Sequence, residues 1–107
     1  MRAYELMVIF KAETEESDIQ TSINKFEGIA NDAGGTLEKV DKWGVKPFAY
    51  EMKKANEGFY VVLEFVAPNA LAEIDRNLRI ADEVIRHKFL RLPLDEAHRR
   101  GLAGATV

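Results

Sequence analysis

The side chains best suited to chemistry in this chain are two histidines, two acidic pairs and a set of arginines, and their spacing limits what each can do. His87 lies inside an apolar alternation and His98 in a polar stretch near the end. No acid or cysteine is spaced from either so as to build a catalytic triad or a zinc site, and His87 reads as a packed or rim side chain. Glu15-Glu16 and Asp82-Glu83 sit where a helix start and a strand start account for them, with no pocket around either pair to support acid/base work. The chain has no cysteine, which excludes disulfides, thiolate metal ligands and cysteine nucleophiles and is compatible with a reducing compartment. Neither GxGxxG nor GxxxxGK followed by Ser or Thr occurs, so a nucleotide-cradling loop is not expected. The connection after the first apolar run, Lys11-Ala12-Glu13-Thr14-Glu15-Glu16, is acidic and repels the anions that an acyl-phosphate hydrolase of this size would hold there. These residues predict no catalysis, no cofactor, no metal and no small-molecule substrate.

The cations are a different matter. Between Glu13 and Asp32 the acids Glu13, Glu15, Glu16, Asp18, Glu27 and Asp32 face Lys25 alone, whereas from Arg76 to Arg100 the bases Arg76, Arg79, Arg86, Lys88, Arg91, Arg99 and Arg100 face Asp82, Glu83, Asp95 and Glu96. A net charge of −3 argues against a nucleic-acid ligand for the chain taken as a whole, but one basic face and one acidic face satisfy both observations. Arg79, Arg86, Lys88 and Arg91 gather in one segment, and Arg2 heads the first apolar run. Arginine's planar fork takes phosphate oxygens in pairs. The competing reading pairs Arg79 and Arg86 with Asp82 and Glu83 and leaves Lys88 solvated, and composition alone favours it. Arg99-Arg100 suggests a phosphate or partner contact by charge only.

These side chains must be carried by something. Tyr4, Leu6, Val8 and Phe10 recur at period two, predicting a strand over 2–11 whose other face holds Ala3, Glu5, Met7 and Ile9, open to solvent or a partner. Glu13-Thr14-Glu15-Glu16-Ser17 offers a capping hydroxyl and acids for a helix start. Ile19, Ile23, Phe26, Ala30 and Ala33 form its apolar stripe, and Gly34-Gly35 its exit. A long bent strand follows over 36–52, with Leu37, Val40, Phe48 and Met52 inward, Gly44 at a bend or bulge, and Pro47 requiring a sheet edge. Lys53 to Gly58 reads as a polar turn, and Phe59 to Val66 as a strand with Phe59, Val61, Leu63 and Phe65 on one face. Pro68 starts a second helix with Leu71, Ile74 and Leu78 buried, and a last strand over 83–92 closes at Pro93. The order βαββαβ predicts an α+β, ferredoxin-like sandwich: a four-stranded antiparallel sheet with two helices on one face and the other face open. In it the last strand neighbours the first, bringing Arg2 toward Arg86, Lys88 and Arg91.

With 107 residues, 47% hydrophobic and 31% charged, the chain fits one domain over 1–93 followed by a flexible C-terminal tail over 94–107. Its first residues lack the longer apolar region and small-residue cleavage site of a signal peptide. Nothing approaches the ~20 apolar residues of a membrane helix.

Four separated stretches then carry a resemblance: Met1-Arg2-Ala3-Tyr4-Glu5-Leu6, Trp43-Gly44-Val45-Lys46-Pro47-Phe48-Ala49-Tyr50, Glu57-Gly58-Phe59-Tyr60-Val61-Val62, and Leu78-Arg79-Ile80-Ala81-Asp82-Glu83-Val84-Ile85-Arg86. In this order and at nearly this spacing they resemble the bacterial small-subunit ribosomal protein six family, from Met1 to about Leu92. The resemblance implies a cytoplasmic, non-enzymatic structural constituent of the small ribosomal subunit. It would bind the central domain of the small-subunit ribosomal RNA together with ribosomal protein eighteen, as a heterodimer. The RNA-binding residues it implies are Arg2, Lys46, Arg79 and Arg86, to which the local cluster adds Lys88 and Arg91. Partner contacts fall on the second-strand edge, at Asp41, Lys42, Trp43 and Lys46, with Trp43 either an interface anchor or a core side chain. Pro47 stands where the family often has a second adjacent base. Gly58 to Phe65 departs from the third-strand signature of RNA-recognition motifs at Glu57, Tyr60, Val61 and Glu64, so RNA contact is expected through backbone and shape rather than base stacking. The alternative from another class is a small ferredoxin-like enzyme or ligand-sensing module, against which the absence of a catalytic constellation counts.

Overall fold

A computed structural model describes residues 1–52, 55–68 and 72–102, with the side chains of 49–52 and 55 outside the description. The period-two alternations become β1, Arg2–Lys11, β2, Thr36–Met52, β3, Ala55–Ala67, and β4, Val84–Leu92. The period of 3.6 gives α1, Glu16–Asp32, and α2, Ala72–Ile80. A third helix, α3, follows at Leu94–Arg99. The strands form one antiparallel sheet in the order β2-β3-β1-β4, which is the ferredoxin-like α+β arrangement.

Leu6, Val8 and Phe10 of β1 and Val61, Leu63 and Phe65 of β3 are buried against Ile19, Ile23, Phe26 and Ala30 of α1 and Ile74 and Leu78 of α2. Those side chains define the helix-bearing face. β2 is an edge strand, as Pro47 requires, and its register slips between Lys42 and Gly44, where the bulge was expected. At the end of α1, Gly34 takes φ 88°, its N–H donates to Asn31 O and the Gly35 N–H donates to Ala30 O, a left-handed exit that satisfies two otherwise orphaned carbonyls. Gly34→Ala has room for the added methyl but must hold a positive φ, so a loss of about 1 kcal/mol in unfolding free energy is expected from chemical denaturation.

Several expectations are corrected. Residue Glu15 is the N-cap of α1 and no side chain caps it; the Thr21 hydroxyl donates instead to Ser17 O one turn inside the helix. Val40 faces the helix layer by register with Leu63 but is 42% exposed, because an edge strand has no neighbour beyond it to complete the cover. The expected polar turn is shorter, since β3 already begins at Ala55; Lys53, Lys54 and Leu71 lie outside the described residues. The segment after Pro93 differs most. Rather than running free, 94–102 folds as α3 and its exit, with Ala97 and Leu102 fully buried against Ala3, Val66 and Leu92. The physical reason is that Ala3, Val66 and Leu92 form an apolar patch on the face opposite α1 and α2, and the tail carries the residues that cover it. Residues 103–107 lie outside the described residues.

Candidate nucleic-acid and partner interface

Directly paired residues on neighbouring strands share a sheet face, so the registers sort the cations. Ile9 pairs with Arg86 and Met7 with Lys88, placing both bases on the face opposite α1 and α2. Tyr4 pairs with Arg91, and Arg2 stands two residues before Tyr4, placing Arg91 and Arg2 on the helix-bearing face. The expected RNA-binding set thus divides across the two faces of the β1–β4 side of the sheet. Arg2, Arg86, Lys88 and Arg91 are all exposed, and none forms a side-chain hydrogen bond or ion pair with another described residue. Four such bases within two adjacent strands leave a local positive field that no described carboxylate neutralises directly.

Arg79 is held differently. Its Nη2 lies 2.9 Å from Asp75 Oδ2 on α2, and Asp75 Oδ1 lies 2.7 Å from His87 Nε2. The competing pairing with Asp82 or Glu83 is therefore not the one formed, and His87 is a half-buried side chain bridging β4 to α2, edge-on to Phe89. Neighbouring Arg76 is occupied by Glu73 at 2.6 Å, a contact that holds the exposed Glu73 carboxyl below its ordinary range. Arg79 still projects most of its side chain into solvent. It borders an open groove of about 880 Å³ whose rim mixes Lys11 and Arg79 with Glu13, Glu57 and Asp82, a pattern without preference for either sign.

On the far side of the sheet, Trp43 is 44% exposed and lies parallel to Tyr60, with ring centroids 6.3 Å apart and planes 8° apart. Its Nε1–H donates to Asp41 Oδ2 at 2.9 Å, and Lys46 Nζ lies 5.1 Å from its ring centroid, a cation over an aromatic face. Phe48 completes the group, tilted against Tyr60. Asp41, Trp43 and Lys46 therefore form one ordered cluster on the face opposite α1 and α2, and the core-packing alternative for Trp43 is not realised. Lys42 is separated from them. Its Nζ reaches Gln20 Oε1 at 2.8 Å and Glu16 Oε1 at 3.4 Å, tying β2 to α1 on the helix-bearing face.

Neighbouring strands lie ~4.8 Å apart, so Lys46 on β2 is about 14 Å across the sheet from β4. Arg86 and Lys88 on β4 and Trp43 on β2 lie on different strands but share a sheet face. Between the two groups lies a shallow apolar dent of about 190 Å³ bordered by Met7, Ile9, Tyr60, Arg86 and Lys88. Arg100, read from charge alone as a contact for a ligand, is instead engaged within the fold, to Glu5, Glu64 and Glu96. Among the described residues no group of acids and histidines could hold a metal ion, and no helix is long and apolar enough to cross a membrane.

Comparison with known proteins agrees with this architecture. A family profile described as ribosomal protein S6 matches residues 3–91. Small ribosomal subunit protein bS6 of Alkaliphilus oremlandii is 48% identical over 93 residues, covering 86% of this chain and 98% of that one. The protein of the same name from an Arthrobacter species is 46% identical over 92 residues, covering 85% and 91%. The crystal structure of 30S ribosomal protein S6 from Thermotoga maritima superimposes with a TM-score of 0.80 at 31% identity, over 95% of this chain and 96% of that one. With a profile spanning residues 3–91 and relatives of this identity matched over 98% and 91% of their length, this chain belongs to the ribosomal protein S6 family, whose members are structural ribosomal proteins and not enzymes.

Proposed function

We propose that this protein binds the central domain of the small-subunit ribosomal RNA as a heterodimer with ribosomal protein eighteen. Family membership makes it a component of the bacterial small ribosomal subunit, and so of the cytoplasmic ribosome. The observation that carries the RNA reading is the set of exposed bases without carboxylate partners among the described residues, Arg2, Arg86, Lys88 and Arg91, on the β1–β4 side of a chain whose net charge is −3. Exposed bases of this kind, two on each face of the β1–β4 side, are what a phosphate backbone would meet. Arg79 stands on the same side of the fold, and Lys46 reaches RNA only where the RNA or the complex extends across the sheet. The partner reading is supported by Trp43, an aromatic side chain fixed by Asp41, Tyr60 and Lys46 yet left open to solvent, which is how interface anchors are commonly presented. Lys42 serves this surface indirectly, by fixing β2 on α1.

The experiment is a salt series. Affinity for a central-domain RNA fragment is measured alone and with saturating ribosomal protein eighteen. Binding alone is weak, the partner strengthens it, and log K falls linearly with log salt concentration. Arg86→Ala and Lys88→Ala each reduce that slope by about 1 if each base neutralises one phosphate. Affinity that is indifferent to salt, or a slope that neither substitution changes, overturns the assignment of these bases to RNA.

A further inference from the structure

The last described helix is too short to stand alone. A six-residue segment makes fewer than two turns, and isolated helices well below ~12 residues do not persist in water. α3 has several local signals, though its N-cap, Pro93, has no capping side-chain hydrogen bond. Pro93 precedes it, Asp95 and Glu96 occupy its first turn, His98 and Arg99 its last, and Gly101 at φ 82° turns the chain out. The exit donates twice to the helix, Gly101 N–H to His98 O at 3.0 Å and Leu102 N–H to Ala97 O at 2.9 Å. The missing stability comes from the sheet. Ala97 and Leu102 are buried on Ala3, Val66 and Leu92, a cluster separate from the main core on the other face.

Beside that cluster the sheet carries an electrostatic problem. Glu5 of β1 and Glu64 of β3 are directly paired, and like charges so placed repel. Arg100 resolves it. Its Nη1 lies 3.0 Å from Glu5 Oε1 and 3.4 Å from Glu64 Oε1, and its Nε lies 3.0 Å from Glu96 Oε1. Hydrogen bonding to Glu96 first, and to Glu5 next, raises the guanidinium's affinity for its proton above the ordinary value. From β2, Lys39 Nζ donates to Arg100 O at 2.7 Å and lies 3.9 Å from Glu64 Oε2, a buried oxygen without a hydrogen bond of its own. The segment that leaves β4 is thus fastened to β1, β3 and β2 in turn through one residue.

We propose that α3 is a releasable strap across the open face of the sheet, latched by Arg100, and that it opens as a unit while the main core stays folded. Opening uncovers Ala3, Val66 and Leu92 and extends the accessible face, which otherwise begins at Met7 and Trp43, along the length of β1. The latch side chains are 14–29% exposed, so salt screens them only weakly and the latch is released chiefly by losing one of its partners. The strap is a property of the fold and stands independently of the RNA reading.

The chain has no cysteine, so single cysteines report the opening directly. Ala3→Cys places a thiol beneath α3, and Val61→Cys places one in the main core. Under native conditions a thiol reagent reaches Ala3→Cys faster than Val61→Cys. Arg100→Gln accelerates the Ala3→Cys reaction by about tenfold or more, the scale of losing one partly buried charge contact, and leaves Val61→Cys slow. Adding Glu5→Gln to Arg100→Gln slows the reaction again, because closing α3 then no longer buries the Glu5 carboxylate without its partner. Hydrogen exchange of the unsubstituted chain gives the same order, with the Leu102 amide exchanging before those of β1 and β3. A common labelling rate for both cysteines, or no response of Ala3→Cys to Arg100→Gln, shows that α3 is released only by global unfolding and overturns the proposal.

Discussion

Leu63→Ala lowers the unfolding free energy by about 2–5 kcal/mol, as expected for truncating a fully buried leucine. Leu63 lies in β3, an inner strand, is 0% exposed, and pairs with Leu6 of β1 on one side and Val40 of β2 on the other. Removing it leaves a cavity between the sheet and the helix layer that two paired neighbours cannot close without abandoning their own register. A domain is stabilised by only ~5–15 kcal/mol in total, so the substitution consumes a large part of the margin. The measurement is chemical denaturation, in which the midpoint falls while the slope is retained. Leu90→Ala is the comparison: Leu90 is 48% exposed on β4, and its loss changes stability by no more than about 0.5 kcal/mol. Equal effects at the two positions contradict the assignment of the faces.

Trp43→Ala acts on association and not on folding. Half-exposed, with its indole fixed by Asp41 and stacked on Tyr60, Trp43 contributes little to the core but presents a large, pre-ordered contact. Its removal weakens the heterodimer with ribosomal protein eighteen by about 2 kcal/mol or more, roughly thirtyfold in Kd. Arg86→Ala leaves pairing intact and reduces RNA binding at saturating partner. Titrations of each variant with the partner, then of each complex with RNA, separate the two effects. Unchanged pairing for Trp43→Ala returns that side chain to a merely exposed role. Equal losses in both assays for both variants contradict the separation of partner and RNA contacts.

Legibility in the sequence followed the range of the interactions. Leu6, Val8 and Phe10, and Val61, Leu63 and Phe65, announced their strands at period two because both strands lie inside the sheet and one face of each is fully covered. Ile19, Ile23, Phe26 and Ala30 likewise marked the covered stripe of α1. Bulges and edges weaken the signal: the register of β2 slips near Leu37 and again near Trp43, and alternation, which puts Val40 inward, does not reveal that an edge position leaves it 42% exposed. α3 is not legible as a period because fewer than two turns contain too few residues for one, and its burial depends on Ala3 and Val66, far away in the chain. Only the acids Asp95 and Glu96, the bases after them and Gly101 mark it locally. The pairing of Arg100 with Glu5 and Glu64 was not legible, since only the folded sheet brings those carboxylates together. For the candidate site, the cluster on β4 was visible but its split was overlooked. Arg86 and Lys88 share a parity that Arg91 does not, and alternation along a strand sends the two sets to opposite faces. Trp43's environment needed the structure, because Tyr60 reaches it only through the β2–β3 register.

The central claim is tested most directly by purifying small ribosomal subunits from the source cell and quantifying their proteins by mass analysis. The account predicts this chain in the particle at one copy per subunit, together with ribosomal protein eighteen and in equal amount. Its absence from the washed subunit, with the protein recovered only in the ribosome-free fraction, would contradict it.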